Sequence, residues 1–202
     1  MPYFYYDWTM ILVIPGLLLG LYAQFKVKST FARYSRVRTK SGLTAEAAAR
    51  MLLSRGGSAN VTISRVNGSL TDHYDPSSKT LRLSDSVYGS DSVAAVGVAA
   101  HECGHALQEH DGYGLLKLRT ALVPVVNIGS SLYLPIFMAG LLFSWEPLQM
   151  VGILCFGLTL LFSLVTLPVE INASKRALGM LEGVLDGEEL QGAKAVLSAA
   201  AL

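Results

Sequence analysis

The chain has 202 residues, of which 51% are apolar and 15% are charged, and its formal net charge is +1 at pH 7. Globular proteins carry roughly 25% Asp, Glu, Lys and Arg, so the composition argues against an ordinary soluble domain and favours a small domain joined to membrane spans. Because no basic stripe interleaved with aromatic residues is present, we expect no nucleic-acid partner.

The first apolar segment runs from about Trp8 to Phe25 and is close to the ~20 residues that a helix needs to cross a bilayer. Residues 1–7 contain no Lys or Arg, so the segment does not begin like a signal peptide and is expected to remain as an anchor. Cationic residues follow between positions 26 and 40, which places this loop in the cytoplasm. An outer interfacial belt is predicted from Tyr3, Phe4, Tyr5, Tyr6 and Trp8.

The sequence after this anchor mixes helical and strand patterns. A capping residue before an Ala-rich stretch predicts a helix, and alternating apolar residues predict short strands with turns between them. An Ala- and Val-rich stretch predicts a second, buried helix. The predicted elements are a helix from Thr44 to Gly56-Gly57, strands over 61–66 and 80–83, a turn over 73–78, and a helix from Ser92 to Gln108.

Two later segments, from about Ala121 to Phe143 and from about Pro147 to Val169, contain no charged side chain and are long enough to span. The connector Ser144–Pro147 is then outside the cell, while Lys175 and Arg176 return to the cytoplasm, as the positive-inside rule prefers. We therefore predict a mainly helical α+β integral membrane protein that crosses the cell (inner or plasma) membrane several times.

The residues 101–105 read His-Glu-Cys-Gly-His and fit the pattern H-E-x-x-H. Residues i and i+4 lie on one face of a helix, so His101 and His105 can reach the same metal ion, for which zinc is the expected identity. Zinc lowers the pKa of a bound water towards about 7, so the adjacent Glu102 can act as general base. Two structural histidines on a helix are the alternative interpretation.

A catalytic zinc needs a third protein ligand, and the residues leave four candidates. His110 and Asp111 follow the motif closely, and Asp111 stands where a metzincin-like motif would place its last ligand. His73 lies near a predicted turn and more plausibly binds substrate or supports the structure. Glu170 follows the third apolar segment. This segment returns the chain to the side of the membrane on which the H-E-x-x-H motif lies. Its alternative role is an ion pair with the cationic residues that follow it.

The sequence resembles, over nearly its whole length, the YugP-type family of neutral zinc metallopeptidases, and four stretches carry the resemblance most specifically. That family is distantly similar to the HtpX-type gluzincin membrane peptidases. The stretches are Leu70–Pro76, Ser92–Glu102, Ala121–Ser130 and Leu167–Ser174.

The resemblance implies peptidase activity and makes Glu170 the third zinc ligand. Ser174 stands where better-known relatives often carry an Asp that orients a zinc-bound His. Ser174 and the nearby Asn172 can both form hydrogen bonds, but neither supplies that negative charge. Family members usually continue into a further apolar segment, which is compatible with a chain truncated at Leu202.

We therefore predict a zinc metalloendopeptidase that acts on polypeptide or membrane-protein substrates at the cytoplasmic face, with Glu102 as catalytic base. The alternative is a non-catalytic membrane adaptor or scaffold with a metal-stabilised zincin-like fold. A transporter or channel is less favoured, because the spans carry few polar residues. The expected division is a transmembrane anchor (1–28), a cytoplasmic zincin-like domain (29–120), a transmembrane hairpin (121–169) and a cytoplasmic helix (170–202).

Overall fold

The structure is a computed structural model of the chain and describes residues 11–200. The aromatic belt and the start of the first predicted span lie outside these residues. The described part is mainly helical with one small mixed sheet. Its elements are α1 (Val13–Tyr34), α2 (Ala45–Arg55), β1 (Thr62–Val66), β2 (His73–Asp75), β3 (Thr80–Ser84), α3 (Val93–His110), α4 (Gly114–Leu142), α5 (Glu146–Leu181) and α6 (Gly187–Ala200).

Side-chain caps define the start of α2 and of α3. The hydroxyl of Thr44 accepts a hydrogen bond from the backbone N–H of Ala47, and that of Ser92 accepts one from Ala95. Each cap satisfies a backbone donor that the first helical turn leaves free. The helix α2 ends before Gly57, which has a φ of +75°. Both helices predicted for this region are therefore confirmed.

The three strands form a mixed sheet in the order β1-β3-β2, with β1 parallel and β2 antiparallel to β3. The prediction of a turn over 73–78 is wrong for its first half, because His73–Asp75 is the strand β2. Three residues are too few for an alternating pattern, and pairing with β3 imposes the strand. The turn begins after Asp75, whose carboxylate accepts hydrogen bonds from Ser77 and Ser78.

The helix α3 is central to the packing of the domain. It contacts α2, α5, α6 and the strands β2 and β3. All of its residues from 93 to 100 except Val98 are buried, as the sequence predicts. Most of them are Ala, Val or Gly, and such small side chains allow neighbouring helices to approach closely. The motif residues on the following turns therefore lie between several packed elements.

The helices α4 and α5 form a hairpin that carries many exposed apolar side chains. Both are long and apolar enough to cross a membrane, as predicted. However, α5 does not end near Val169 but continues to Leu181, so Glu170 lies inside a continuous helix. Its last part packs on α3, and this tertiary packing extends the helix beyond the apolar segment.

The described part of α1 differs from the other two predicted spans. Its apolar side chains from Val13 to Phe25 are largely exposed, and its later part packs against α6. Among the helices within residues 11–200, only α4 and α5 satisfy the length and composition of a membrane span. The N-terminal span therefore stays a prediction.

Candidate metal centre

Two histidines of α3 and one glutamate of α5 meet in the structure. The Oε2 atom of Glu170 lies 3.0 Å from Nε2 of His101 and 3.4 Å from Nε2 of His105. The ligand atoms of the three side chains all lie within 4.8 Å of one another. Within residues 11–200, this is the one cluster of three or more His, Cys, Asp or Glu side chains with metal-ligand spacing.

Two of the three separations between ligand atoms fit a zinc ion. Ligand atoms at 2.0–2.1 Å from a tetrahedral zinc lie about 3.3 Å from one another, close to the two separations from Oε2 of Glu170. Two imidazole nitrogens and a glutamate oxygen also form a donor set that catalytic zinc sites use. His101, His105 and Glu170 are therefore suited in both spacing and chemistry to hold this metal.

The imidazole of His105 is oriented by Gln108. Nδ1 of His105 lies 3.0 Å from Oε1 of Gln108, whose amide nitrogen donates to the backbone carbonyl of Val169 and to Oδ1 of Asn172. These two acceptors fix the amide, so its oxygen must face the imidazole. Nδ1 then carries the proton, and Nε2 is left with a free lone pair towards Glu170.

The imidazole of His101 is held in the same manner by Ser174. The hydroxyl of Ser174 lies 3.1 Å from Nδ1 of His101, which leaves Nε2 directed at Glu170. The serine thus supplies a neutral hydrogen-bonding partner to this imidazole. Asn172, the other residue considered for this role, instead binds Gln108 and Arg176.

The outer oxygen of Glu170 faces a cation from α4. Nη2 of Arg119 lies 3.4 Å from Oε1 of Glu170, while Oε2 faces the imidazoles. The predicted alternative, in which Glu170 pairs with the cationic residues after it, is wrong for Arg176, because that side chain binds Asn172 and the carboxylate of Asp111. Sequence reasoning did not identify Arg119, since no local pattern links α4 to α5.

The other candidates for the third ligand lie outside the cluster. Asp111 forms an ion pair with Arg176. His110 lines a separate cavity beside Ser58. His73 is exposed, and its Nδ1 lies 2.9 Å from the carbonyl oxygen of Thr71. It nevertheless lines the cavity at the cluster, so its predicted role towards substrate stays a prediction.

Glu102 lies between two cavities. Its side chain is 8% exposed, and burial raises the pKa of its carboxyl group, although the nearby imidazoles oppose that shift. A cavity of about 490 Å³ and a second of about 220 Å³ share three lining residues, Asp72, His101 and Glu102. The larger one also contains β2 residues, Glu170 and Arg119. Glu102 is thus accessible from both cavities.

A close helix crossing brings Glu170 to the histidines. A Cβ atom built on Gly104 of α3 would lie 2.5 Å from the backbone oxygen of Ala173 in α5. Only glycine permits this approach, which places Glu170 and Ser174 beside the imidazoles. Gly104 is one of the two unspecified positions of H-E-x-x-H, so the motif alone gives no sign of this requirement.

These features define a class of site: an H-E-x-x-H helix joined by a glutamate from a second helix is a donor set that can hold a catalytic zinc ion. The chain belongs to the family described as "Putative neutral zinc metallopeptidase", whose model matches residues 9–202. The predicted resemblance is thereby confirmed.

A curated relative supports the same assignment. The chain is 45% identical over 195 residues to a protein of Bacillus subtilis (strain 168) named "Putative membrane protease YugP". The aligned region covers 96% of this chain and 87% of that protein. No solved structure gives a significant match.

We expect Gly104→Ala to weaken zinc binding because the added methyl group forces α3 and α5 apart. Overpacking of this kind costs about 1–3 kcal/mol, and small displacements behind metal ligands typically reduce affinity by about 10–100-fold. Zinc affinity of the purified protein is measured by competition with a chelating dye, while circular dichroism reports the helical content.

Gly97→Ala is the matched control in the same helix, because its added Cβ would lie 3.6 Å from Ala193, at ordinary contact distance. This variant should bind zinc like the wild type. Equal zinc affinities for Gly104→Ala and Gly97→Ala would contradict the role of the crossing.

Proposed function

We propose that the chain is a membrane-embedded, zinc-dependent metalloendopeptidase. The observation that carries the proposal is that Glu170 reaches both imidazoles of the H-E-x-x-H helix from 69 positions beyond the first of them. Because both Nδ1 atoms are already held, the two Nε2 atoms face the carboxylate of Glu170, and a metal ion between these three groups would satisfy all of them. The family description and the relative's name independently support peptidase activity.

In this proposal His101, His105 and Glu170 hold Zn²⁺, which when bound supplies a Lewis acid that acidifies water and polarises a peptide carbonyl. Ser174 and Gln108 keep each Nε2 directed at the site. Residues that hydrogen-bond to a metal-binding histidine commonly set the tautomer and the orientation of its imidazole. In this proposal Ser174 does so for His101 and Gln108 does so for His105.

Glu102 is the general base. It follows His101 on α3 and lines both cavities, so it is within reach of a water that attacks a bound peptide bond. Burial raises the pKa of its carboxyl group, which makes its carboxylate a stronger base than an exposed glutamate. Glu102 accepts a proton from the attacking water and then delivers it to the departing amine nitrogen as the C–N bond breaks.

An extended polypeptide is the proposed substrate. The strand β2 is paired only with β3 within the described sheet, and its residues line the 490 Å³ cavity together with Glu102. A strand at the edge of a sheet offers backbone donors and acceptors to an extended peptide. This favours peptide-bond hydrolysis over the hydrolysis of a small molecule.

The proposed topology has three spans and a cytoplasmic active site. The apolar hairpin of α4 and α5 supports membrane insertion, as does the word "membrane" in the relative's name. The cationic residues between positions 26 and 40, together with Lys175 and Arg176, support a cytoplasmic position for both ends of the domain. The N-terminal anchor completes this arrangement.

Two glutamate variants separate catalysis from metal binding. Glu102→Gln should retain zinc but lose hydrolysis of casein by about 10²–10⁴-fold, because it removes the base and keeps the shape. Glu170→Ala should lose zinc affinity as well as activity, since it removes a ligand. Zinc content is measured by atomic emission, and casein cleavage is measured with and without a chelator.

Glu146→Ala provides the control for Glu170→Ala, because it removes a carboxylate from the start of the same helix. It should leave both readouts unchanged. A scaffold with a structural metal would behave differently, because wild type and Glu102→Gln would then both bind zinc and neither would cleave casein. Wild-type zinc affinity in Glu170→Ala would exclude the third ligand.

Cysteine labelling tests the topology. In a Cys155→Ser background, where Cys103 is buried, we expect Ser144→Cys to react with a membrane-impermeant maleimide in intact cells. Ser54→Cys, on the exposed side of α2, should react only after the cells are opened. The reverse pattern would place the site outside, and labelling of both positions in intact cells would contradict the three-span arrangement.

A further inference from the structure

The smaller cavity beside Glu102 borders the metal centre at His101, but most of its lining comes from parts of the chain that the metal centre does not use. It has a volume of about 220 Å³ and lies among α1, α3, α6 and the loop before β2. We call it the α1–α6 pocket. Its large apolar lining side chains are Val27, Phe31, Leu70, Val98, Val196 and Leu197.

The α1–α6 pocket and the larger cavity adjoin the same three residues. Asp72, His101 and Glu102 belong to the lining of both. This adjacency allows a polypeptide that lies along β2 in the larger cavity to pass the proposed base and to direct a neighbouring side chain into the α1–α6 pocket. The two cavities differ in character, because only the larger one includes the polar turn after β2 and the guanidinium of Arg119.

The charges at the pocket favour an uncharged occupant. Its ionisable lining groups among the described residues are Asp72, His101 and Glu102, all at the end that faces the metal centre. The carboxylate of Asp72 is already occupied by the backbone N–H and hydroxyl of Ser84. No Lys or Arg lines the pocket within residues 11–200 to neutralise an acidic side chain, and burial of an unpaired charge is costly.

Leu70 supplies a second, independent observation. Its φ is +57°, in the left-handed region, and its side chain is 41% exposed although it lines the pocket. For a residue with a Cβ atom this conformation costs roughly 1–2 kcal/mol, and glycine is the usual choice. Unlike the other residues with this backbone conformation, Leu70 combines it with an apolar side chain at the rim of the pocket, and this combination is the basis for assigning it a role there.

We propose that the α1–α6 pocket binds a large apolar side chain of the polypeptide substrate next to the scissile bond, and that Leu70 is a specificity-determining residue at its rim. This inference rests on the proposed peptidase function and adds the substrate class. The peptidase then selects cleavage sites by the residue on one side of the bond, through contacts with α1 and α6 as well as with the metal-binding helix.

The test is the sequence preference of cleavage. Wild-type, zinc-loaded protein is incubated with a peptide mixture, and the cut sites are identified by mass spectrometry. We expect Leu, Phe, Ile or Met on one side of the cleaved bond. Leu70→Gly removes the rim side chain and should reduce the preference for Leu over Ala about tenfold or more, within the 10–200-fold range of apolar pockets.

Lys79→Gly is the matched control. Lys79 also has a left-handed backbone, with a φ of +47°, and it is exposed in the turn between β2 and β3, outside the α1–α6 pocket. Both glycine variants relieve the same kind of strain, so their unfolding temperatures should change alike. Only Leu70→Gly should alter the cleavage preference.

Val98→Phe tests the pocket by the opposite change and does not depend on the folding of Leu70→Gly. Val98 lines the pocket from α3 and is only partly buried. A phenylalanine there reduces the space available, so the preferred residue should shift from Leu towards Ala. A wild-type preference for large apolar residues in both Leu70→Gly and Val98→Phe would overturn the proposal.

A binding measurement distinguishes failure of the pocket from failure of the proposed activity. Fluorescent Gly- and Ser-based decapeptides with a single central Leu, Ala or Asp are titrated into zinc-loaded Glu102→Gln protein. Tighter binding of the Leu peptide, lost in Leu70→Gly, supports the pocket even if the wild type hydrolyses nothing. Equal affinity for the three peptides overturns the pocket, even if the wild type is an active peptidase.

Discussion

The metal centre depends on the contact between Gly104 of α3 and the backbone of Ala173 in α5. This approach is closer than any side chain would allow, since even a methyl group on Gly104 would lie 2.5 Å from the carbonyl oxygen of Ala173. Glu170 lies almost one turn before the contact and Ser174 directly after it. Both residues therefore reach the histidines because the two backbones touch, not because either side chain is unusually long.

Hydrogen bonds extend this contact in both directions along the helices. Gln108 of α3 donates to Val169 and Asn172 of α5, and Asn172 also accepts from Arg176. The amide of Gln108 is buried and satisfied on both ends, so its loss would leave polar groups of both helices unpaired. The hydrogen bonds of Gln108 that join the two helices thus also fix the proton on Nδ1 of His105. One hydrogen-bond network therefore determines both the helix packing and the orientation of this ligand.

The sequence predicts the features of this site that depend on the helical period. It predicts only some of the contacts between residues that lie far apart in the chain. The spacing of His101 and His105 follows from the helical period, so their shared face was predictable. The convergence of Glu170 on them followed from a family resemblance and a topological interpretation, because no periodicity links residues so far apart. Gln108 belongs to no recognisable motif, although its position three residues after His105 places it on the same face.

The features that the sequence does not reveal have a common physical origin. The strand β2 and the ion pair of Arg119 with Glu170 are both created by tertiary contacts. The same is true of the extension of α5 beyond the apolar segment.

The extension of α5 links the apolar hairpin to the metal centre, because one continuous helix carries exposed apolar residues in its first part and Glu170 in its packed part. Arg119 joins from the start of α4, so both helices of the apolar hairpin contribute a charged group to the centre. The position of the hairpin and the geometry of the three candidate ligands are therefore coupled, and the centre lies where the apolar surface meets the folded domain.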